Sequence, residues 1–233
     1  MNVIVTGATK GIGRAIAENL AVRGYNLAIC SRNESELEQT KTALLKINPA
    51  IKVYYKTADL SIKNETQAFG SFCMEVFPVI DALINNAGYY IPGEIHNEEE
   101  GVLESMIEAN LYSAYHLTRK IIPSMLKMKN GYIINMASIA SIMSYPNGGS
   151  YSISKFALRG FSMVLREELK DKGIKVTTIM PGATWSNSWA GVELPKERLM
   201  QASDIAVVVA SIFDMSPSAV MEEIILRPQL GDL

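Results

Sequence analysis

The chain has 233 residues, 48% hydrophobic and 20% charged, with 22 Lys and Arg against 24 Asp and Glu for a net charge of −2. This is an ordinary globular composition, long enough to bury a core without disulfide or metal support, and it lacks the basic excess of a nucleic-acid binder or any strong electrostatic case for an anionic membrane. Two cysteines, Cys30 and Cys73, with no CxxC or Cys/His partner exclude a disulfide framework and argue against a structural zinc site; they read as reduced core thiols in a cytoplasmic protein. The start, MNVIVTGATKG, is no secretory signal. The apolar stretch at 205–213 falls well short of the ~20 residues a spanning helix needs.

Short β-branched runs alternate with helical patterns. Strands are predicted at 3–5, 27–30, 52–57, 79–84, 132–135, 175–179 and 223–226. Between them lie helices at 12–23, with Ile12, Ile16, Ala17 and Leu20 on one face, and at 34–46. Ser61 is a candidate cap for a helix reaching about Val76. Helical patterns follow at about 98–127, with a break near Asn110, and at 151–170 and 202–214. This alternation predicts one α/β domain over 1–233, a doubly wound parallel sheet with helices on both faces. Such strands are buried on both sides and read as unbroken apolar runs, as at 3–5 and 27–30.

The first strand ends in TGATKGIG and a helix begins at once. Gly7, Gly11 and Gly13 permit a tight turn and close approach of a pyrophosphate, and the helix N-terminus offers free N–H groups to it. The spacing is G-x-x-x-G-x-G, so its weight comes from its place between strand and helix. After the second strand an acid would favour NAD, whereas a cation accommodates the 2′-phosphate of NADP. The chain reads Ser31-Arg32-Asn33 there, and Lys10 adds a second cation, which favours NADP(H) over NAD(H).

Tyr151 and Lys155 stand four residues apart on a predicted helix, hence on one face. A nearby ammonium would lower a phenol's pKa from about 10 and make it a usable acid or base. Ser138 follows the fifth strand, and Asn85-Asn86-Ala87-Gly88 follows the fourth, where ligands meet the carboxyl ends of parallel strands.

TGATKGIG, Asp59, NNAG at 85–88, Asn110, Ser138, YSISK at 151–155 and Pro181-Gly182 occur in order along nearly the whole chain, which resembles the short-chain dehydrogenases/reductases. The resemblance implies a Rossmann-type sheet of seven parallel strands in order 3-2-1-4-5-6-7. It also implies roles. Tyr151 would donate a proton to a carbonyl oxygen in reduction, or accept one in oxidation, and Ser138 would hydrogen-bond that oxygen. Lys155 would hold the nicotinamide ribose and lower the Tyr151 pKa. Asn110 would interrupt its helix and hold a water in a proton relay to Lys155. Cofactor contacts would come from Gly7, Thr9, Lys10, Gly11, Ile12, Gly13, Ser31 and Arg32 in the first half of the crevice. Asp59 and Leu60 would meet adenine, and Asn86, Ala87 and Gly88 the central part. Pro181, Gly182 and Thr184 would flank the nicotinamide. The implied assembly is a homodimer or homotetramer built on 98–127 and 151–170, with Tyr112, Tyr115, Phe156 and Phe161 as candidate contacts.

The implied activity is NADPH-dependent reduction of a ketone or aldehyde on a small, mostly apolar substrate. After Pro181-Gly182 the chain reads Ala183-Thr184-Trp185-Ser186, a departure from the family's usual pattern, and its ending is most similar to the sepiapterin-reductase-like and broad carbonyl-reducing branches. A 3-oxoacyl-[acyl-carrier-protein] reductase, with Lys129 and Lys172 as docking residues or as plain solvated lysines, is the alternative. An alcohol or sugar dehydrogenase is another. A non-catalytic NADP-binding regulator would often lack Tyr151 or Lys155. Trp185 and Trp189 suggest a lid at about 183–200. Tyr89, Tyr90 and Ile91 are candidates for the opposite wall, and Met143 for a substrate contact. His96 and His116 read as surface or packing residues rather than metal ligands. Glu98-Glu99-Glu100 reads as acids at a helix start.

Overall fold

Runs rich in Val and Ile fit a pleated, buried surface and become strands. In the computed structural model, which describes residues 1–185 and 193–232, these are β1 (Asn2–Thr6), β2 (Asn26–Ser31), β3 (Val53–Thr57), β4 (Ala82–Asn85), β5 (Gly131–Met136), β6 (Ile174–Pro181) and β7 (Glu223–Leu226). They form one seven-stranded sheet in the order β3-β2-β1-β4-β5-β6-β7, and every neighbouring pair is parallel.

The helices are α1 (Gly11–Val22), α2 (Glu34–Ile47), α3 (Lys63–Val76), α4 (Val102–Ile107), α5 (Ser113–Met128), α6 (Gly149–Leu169) and α7 (Ala202–Ile212). Successive strand residues point to opposite faces, and both faces are covered. Val3 and Val5 join Ile16, Leu20, Leu27 and Val209 in one core under α1, α2 and α7. Ile4 between them joins Phe69, Leu83, Leu117, Ile121 and Leu165 in the other, under α3, α5 and α6. This is why the strands read as unbroken apolar runs.

Polar side chains tie the second face together where it carries the site. Asn85 Nδ2 donates to Thr118 Oγ1 at 2.9 Å and to Asn135 Oδ1 at 2.8 Å. Asn135 Nδ2 donates in turn to Ser162 Oγ at 2.8 Å. This buried chain is satisfied at each link, so it costs little and locks α5 and α6 in register with β4 and β5.

Three local expectations are corrected. Ser61 does not cap α3. Its N–H and hydroxyl both donate to the Asp59 carboxylate, and α3 starts behind Ile62 without a side-chain cap. The helical pattern at 98–127 starts later, at Val102 behind Gly101, whose φ is 87°. It is interrupted by a π-helical turn at Glu108–Tyr112 that contains Asn110. Tyr115 and Phe161 are half-buried against one another at 5.6 Å, leaving Tyr112 and Phe156 as the exposed members of that set.

Among the described residues no helix is long and apolar enough to cross a membrane, and no group of three or more His, Cys, Asp or Glu could hold a metal. Both cysteines are free and buried. Burial pushes the Cys30 thiol up to about 12, which leaves it unreactive near neutrality.

Candidate active site

Strand order reverses between β1 and β4, and at such a point a parallel sheet leaves a crevice at the carboxyl ends of its strands. On the β1 side the chain turns through Gly7 and Gly11, at φ 63° and 52°, values that favour glycine. Gly13 is required for a different reason. A Cβ there would lie 2.2 Å from the Gly7 carbonyl oxygen. Only hydrogen lets α1 start this close to the strand. Lys10 at the N-cap makes no side-chain cap bond, and among the described residues the amides of the first turn have no side-chain partner. That is the donor set a phosphate takes up.

Thr6 and Asn86 clamp the two sides of the crevice. Thr6 Oγ1 accepts the Asn86 and Ala87 N–H groups at 2.9 Å each. Asn86 Nδ2 donates to the Thr6 and Gly7 carbonyls at 2.9 and 3.2 Å. At the end of β2, Arg32 is exposed and makes no hydrogen bond or ion pair among the described residues. Lys10 differs from expectation, because its charge is offset by Glu36 at 2.6 Å. The Asp59 carboxylate is occupied by Ser61, and the Leu60 side chain is buried. Ser31 Oγ bonds to the Asn33 backbone.

On the other side, Ser138 starts a tight turn after β5, and its Oγ accepts the Ala140 N–H at 3.1 Å while the hydroxyl also hydrogen-bonds the Tyr151 phenol. Tyr151 and Lys155 lie one turn apart on α6. Lys155 is 6% exposed, donates to the Met136 carbonyl at 2.9 Å, and lies 5.7 Å from the Tyr151 ring centre. Asn110 Oδ1 accepts the Tyr89 N–H at 2.9 Å, and its Nδ2 donates to the Tyr89 carbonyl at 3.0 Å and to Ser154 Oγ at 2.9 Å. Gly88 closes the group, since a Cβ there would lie 2.6 Å from Asn110 Oδ1 and 3.7 Å from Lys155 Nζ.

The electrostatics correct the expected sign at Tyr151. Its pKa is raised, not lowered. Burial is the main cause; the Ser138 hydrogen bond opposes it, and Tyr90 adds to it. Burial also pushes Lys155 down, to about 8. Desolvation acts on both groups in favour of their neutral forms. The ammonium sits against a carbonyl and over the ring rather than at the phenol oxygen, so it does not reverse this.

The sequence profile of the short chain dehydrogenases matches residues 1–196. The chain belongs to this family. Among its relatives is a sepiapterin reductase of Chlorobaculum tepidum, 29% identical, with 99% of this chain and 97% of that one covered. An alcohol dehydrogenase from the archaeon Thermococcus sibiricus, solved with 5-hydroxy-NADP, superposes with a TM-score of 0.90 at 27% identity, covering 98% of this chain and 96% of that one. A metagenomic short-chain oxidoreductase in complex with NADP gives 0.85 at 27% identity over 98% and 97%. The protein is thus an oxidoreductase of the short chain dehydrogenase family.

Pro181 is buried at the end of β6, and Thr184 Oγ1 donates to the Gly182 carbonyl at 3.0 Å. The expected lid at 183–200 lies partly outside the described residues, as does Trp189. Three features escaped the sequence reading. Asp232 Oδ1 accepts the Ala183 N–H at 2.8 Å, and a Cβ on Gly182 would meet that oxygen at 2.0 Å. Tyr145 stands close enough to Tyr151, Tyr90 and Asp232 to feel them, with burial the first cause of its raised pKa. Glu98 reaches α6. Asp232 and Glu98 arrive from loops far away in sequence, and none of the three has a motif to announce it. Tyr90, a candidate wall residue, does pack edge-on to Tyr151 at 4.9 Å.

The depressed Lys155 pKa carries a sign for stability. Between about pH 8 and the ordinary lysine value, the unfolded chain binds more protons than the folded one, so this group's penalty fades as pH rises. Lys155→Met is expected to melt higher than wild type at pH 7, with the gap narrowing by pH 10. A gap that stays constant across that range contradicts the assignment.

Proposed function

We propose that this oxidoreductase uses NADP(H) in preference to NAD(H) to reduce a ketone or aldehyde, with Tyr151 as proton donor. The observation that carries the reading is a buried phenol hydrogen-bonded to a serine hydroxyl and one helical turn from a buried lysine, at the mouth of a crevice with an uncapped glycine-turn helix. The donor set fits a dinucleotide. The α1 amides and Gly7, Gly11 and Gly13 would take the pyrophosphate, with Thr9 and Ile12 in the same turn. Ser31 and Arg32 would take the 2′-phosphate, with Lys10 available once released from Glu36. Leu60 and Asp59 would border adenine. Asn86, Ala87 and Gly88 would line the middle, and Pro181, Gly182 and Thr184 the nicotinamide end. NADP-bound relatives of this fold support the choice. When bound, the cofactor supplies the hydride.

The chain's own residues handle the proton. Ser138 Oγ donates to the carbonyl oxygen and orients it. Tyr151 gives its phenolic proton to the same oxygen as negative charge develops there. A phenol with a raised pKa carries its proton at neutral pH, which is the form that reduction requires. The phenolate left behind is stabilised by the Lys155 ammonium, which would also hold the nicotinamide ribose. Asn110 holds the Tyr89 backbone and Ser154 in place behind Lys155, where a water-borne proton relay would run. Small neutral carbonyls suit the aromatic wall of Tyr90.

The position of Lys129 and Lys172 supports this reading over an acyl-carrier substrate. Both flank the starts of β5 and β6. That is the opposite edge of the sheet from Ser138 and Pro181, a strand's length away. Absence of a spanning helix among the described residues and two reduced buried thiols support a cytoplasmic location. Exposed Ile153, Phe156, Met163 and Val164 make one apolar stripe along α6, which fits a homodimer or a homotetramer.

Three outcomes follow. Tyr151→Phe should lose turnover by roughly 100-fold or more while still binding NADPH; wild-type turnover would exclude Tyr151 as the acid. Arg32→Ala should weaken NADPH by about tenfold, the worth of one charge-assisted bond, and leave NADH unchanged in a fluorescence titration. Light scattering should give a dimer or tetramer for wild type and a smaller species for Val164→Asp.

A further inference from the structure

Residues 89–98 leave the crevice and run back alongside the start of α6. Gly93 and Gly148 form a parallel bridge. Gly93 N–H donates to the Asn147 carbonyl at 3.1 Å, and the Tyr90 hydroxyl donates to the same oxygen at 2.9 Å. Glu98 completes the contact. Its Oε1 accepts the Ser150 N–H at 2.9 Å, and its Oε2 accepts the Ser150 hydroxyl. The N-cap of α6 is Gly148, which has no side chain to satisfy the first-turn amides. A carboxylate from another segment takes up one of them, that of Ser150, at the helix end whose dipole favours negative charge. Glycine makes the room. A Cβ on Gly149 would lie 2.1 Å from Glu98 Oε1, and one on Gly93 would lie 2.8 Å from Glu98 Cγ. The acid expected at the start of its own helix therefore caps a different one.

Tyr151 is the residue after Ser150, and the Tyr90 ring lies against it at 4.9 Å. We infer that Glu98 is a positioning residue for Tyr151: it clamps the wall that carries Tyr90 onto the first turn of α6 and thereby fixes the phenol relative to the substrate carbonyl. The inference rests on the reading of Tyr151 as proton donor. Small displacements of a reacting group are costly to rate, so the effect belongs in kcat rather than in cofactor affinity.

The test compares Glu98→Ala, Glu98→Gln and Glu98→Asp with Tyr151→Phe, reading kcat and KM on a ketone that wild type reduces, NADPH affinity and Tm. Glutamine keeps an oxygen for the Ser150 N–H and an amide that can donate to its hydroxyl, while aspartate is one methylene short. Glu98→Ala should lower kcat by about tenfold with NADPH affinity unchanged. Glu98→Gln should recover most of that loss, and Glu98→Asp should not. A lower Tm with wild-type kcat in Glu98→Ala would mean a cap that serves stability alone and would overturn the inference. If Glu98→Ala fails to fold, the Gln and Asp variants decide, and equal kcat in those two overturns it. A fully active Tyr151→Phe would instead sink the underlying proton-donor reading. An inactive Tyr151→Phe beside a wild-type Glu98→Ala removes the Glu98 role only.

Discussion

Everything in the crevice depends on how closely α1 approaches the end of β1. At Gly13 the helix comes so near the Gly7 carbonyl that a methyl group would overlap it. That contact aims the uncapped amides of the first turn into the gap between β1 and β4. Thr6 and Asn86 then hold the far wall by four hydrogen bonds. The sheet's two cores set the same geometry from behind, since β1 is anchored on both faces and cannot slip by one residue without turning its apolar side chains into the wrong core.

Desolvation governs the other side of the crevice. Tyr151 and Lys155 share a helix face, and the family pattern suggests a cation that acidifies a phenol. In the folded protein burial dominates both groups, raising one and lowering the other. At neutral pH the phenol therefore keeps its proton, while the lysine, lowered only to about 8, still carries most of its charge. The lysine's attachment to the Met136 carbonyl explains why its charge does not reach the phenol oxygen.

Much of this was legible in the residues. Both-face burial made β1 and β2 recognisable from Val3–Val5 and Leu27–Cys30, and the glycine turn is visible because its spacing is local. The break at Asn110 was legible too, and emerges as a π-helical turn. Local rules misled where a side chain had a better partner elsewhere. Ser61 looks like a cap but bonds to Asp59. Lys10 looks like a free cation but meets Glu36. Glu98 looks like the first turn of its own helix but satisfies the amide of Ser150.

Sequence alone determined the parallel α/β sheet, the strand that carries the glycine turn, and the Tyr151–Lys155 spacing, because periodicity and short-range spacing encode all three. Tertiary structure alone decided the sign of the Tyr151 shift, the pairing of Asp232 with the Ala183 turn, and the capping of α6 by Glu98. Burial and long-range hydrogen bonds depend on which distant segments meet, and no window of neighbouring residues contains that information.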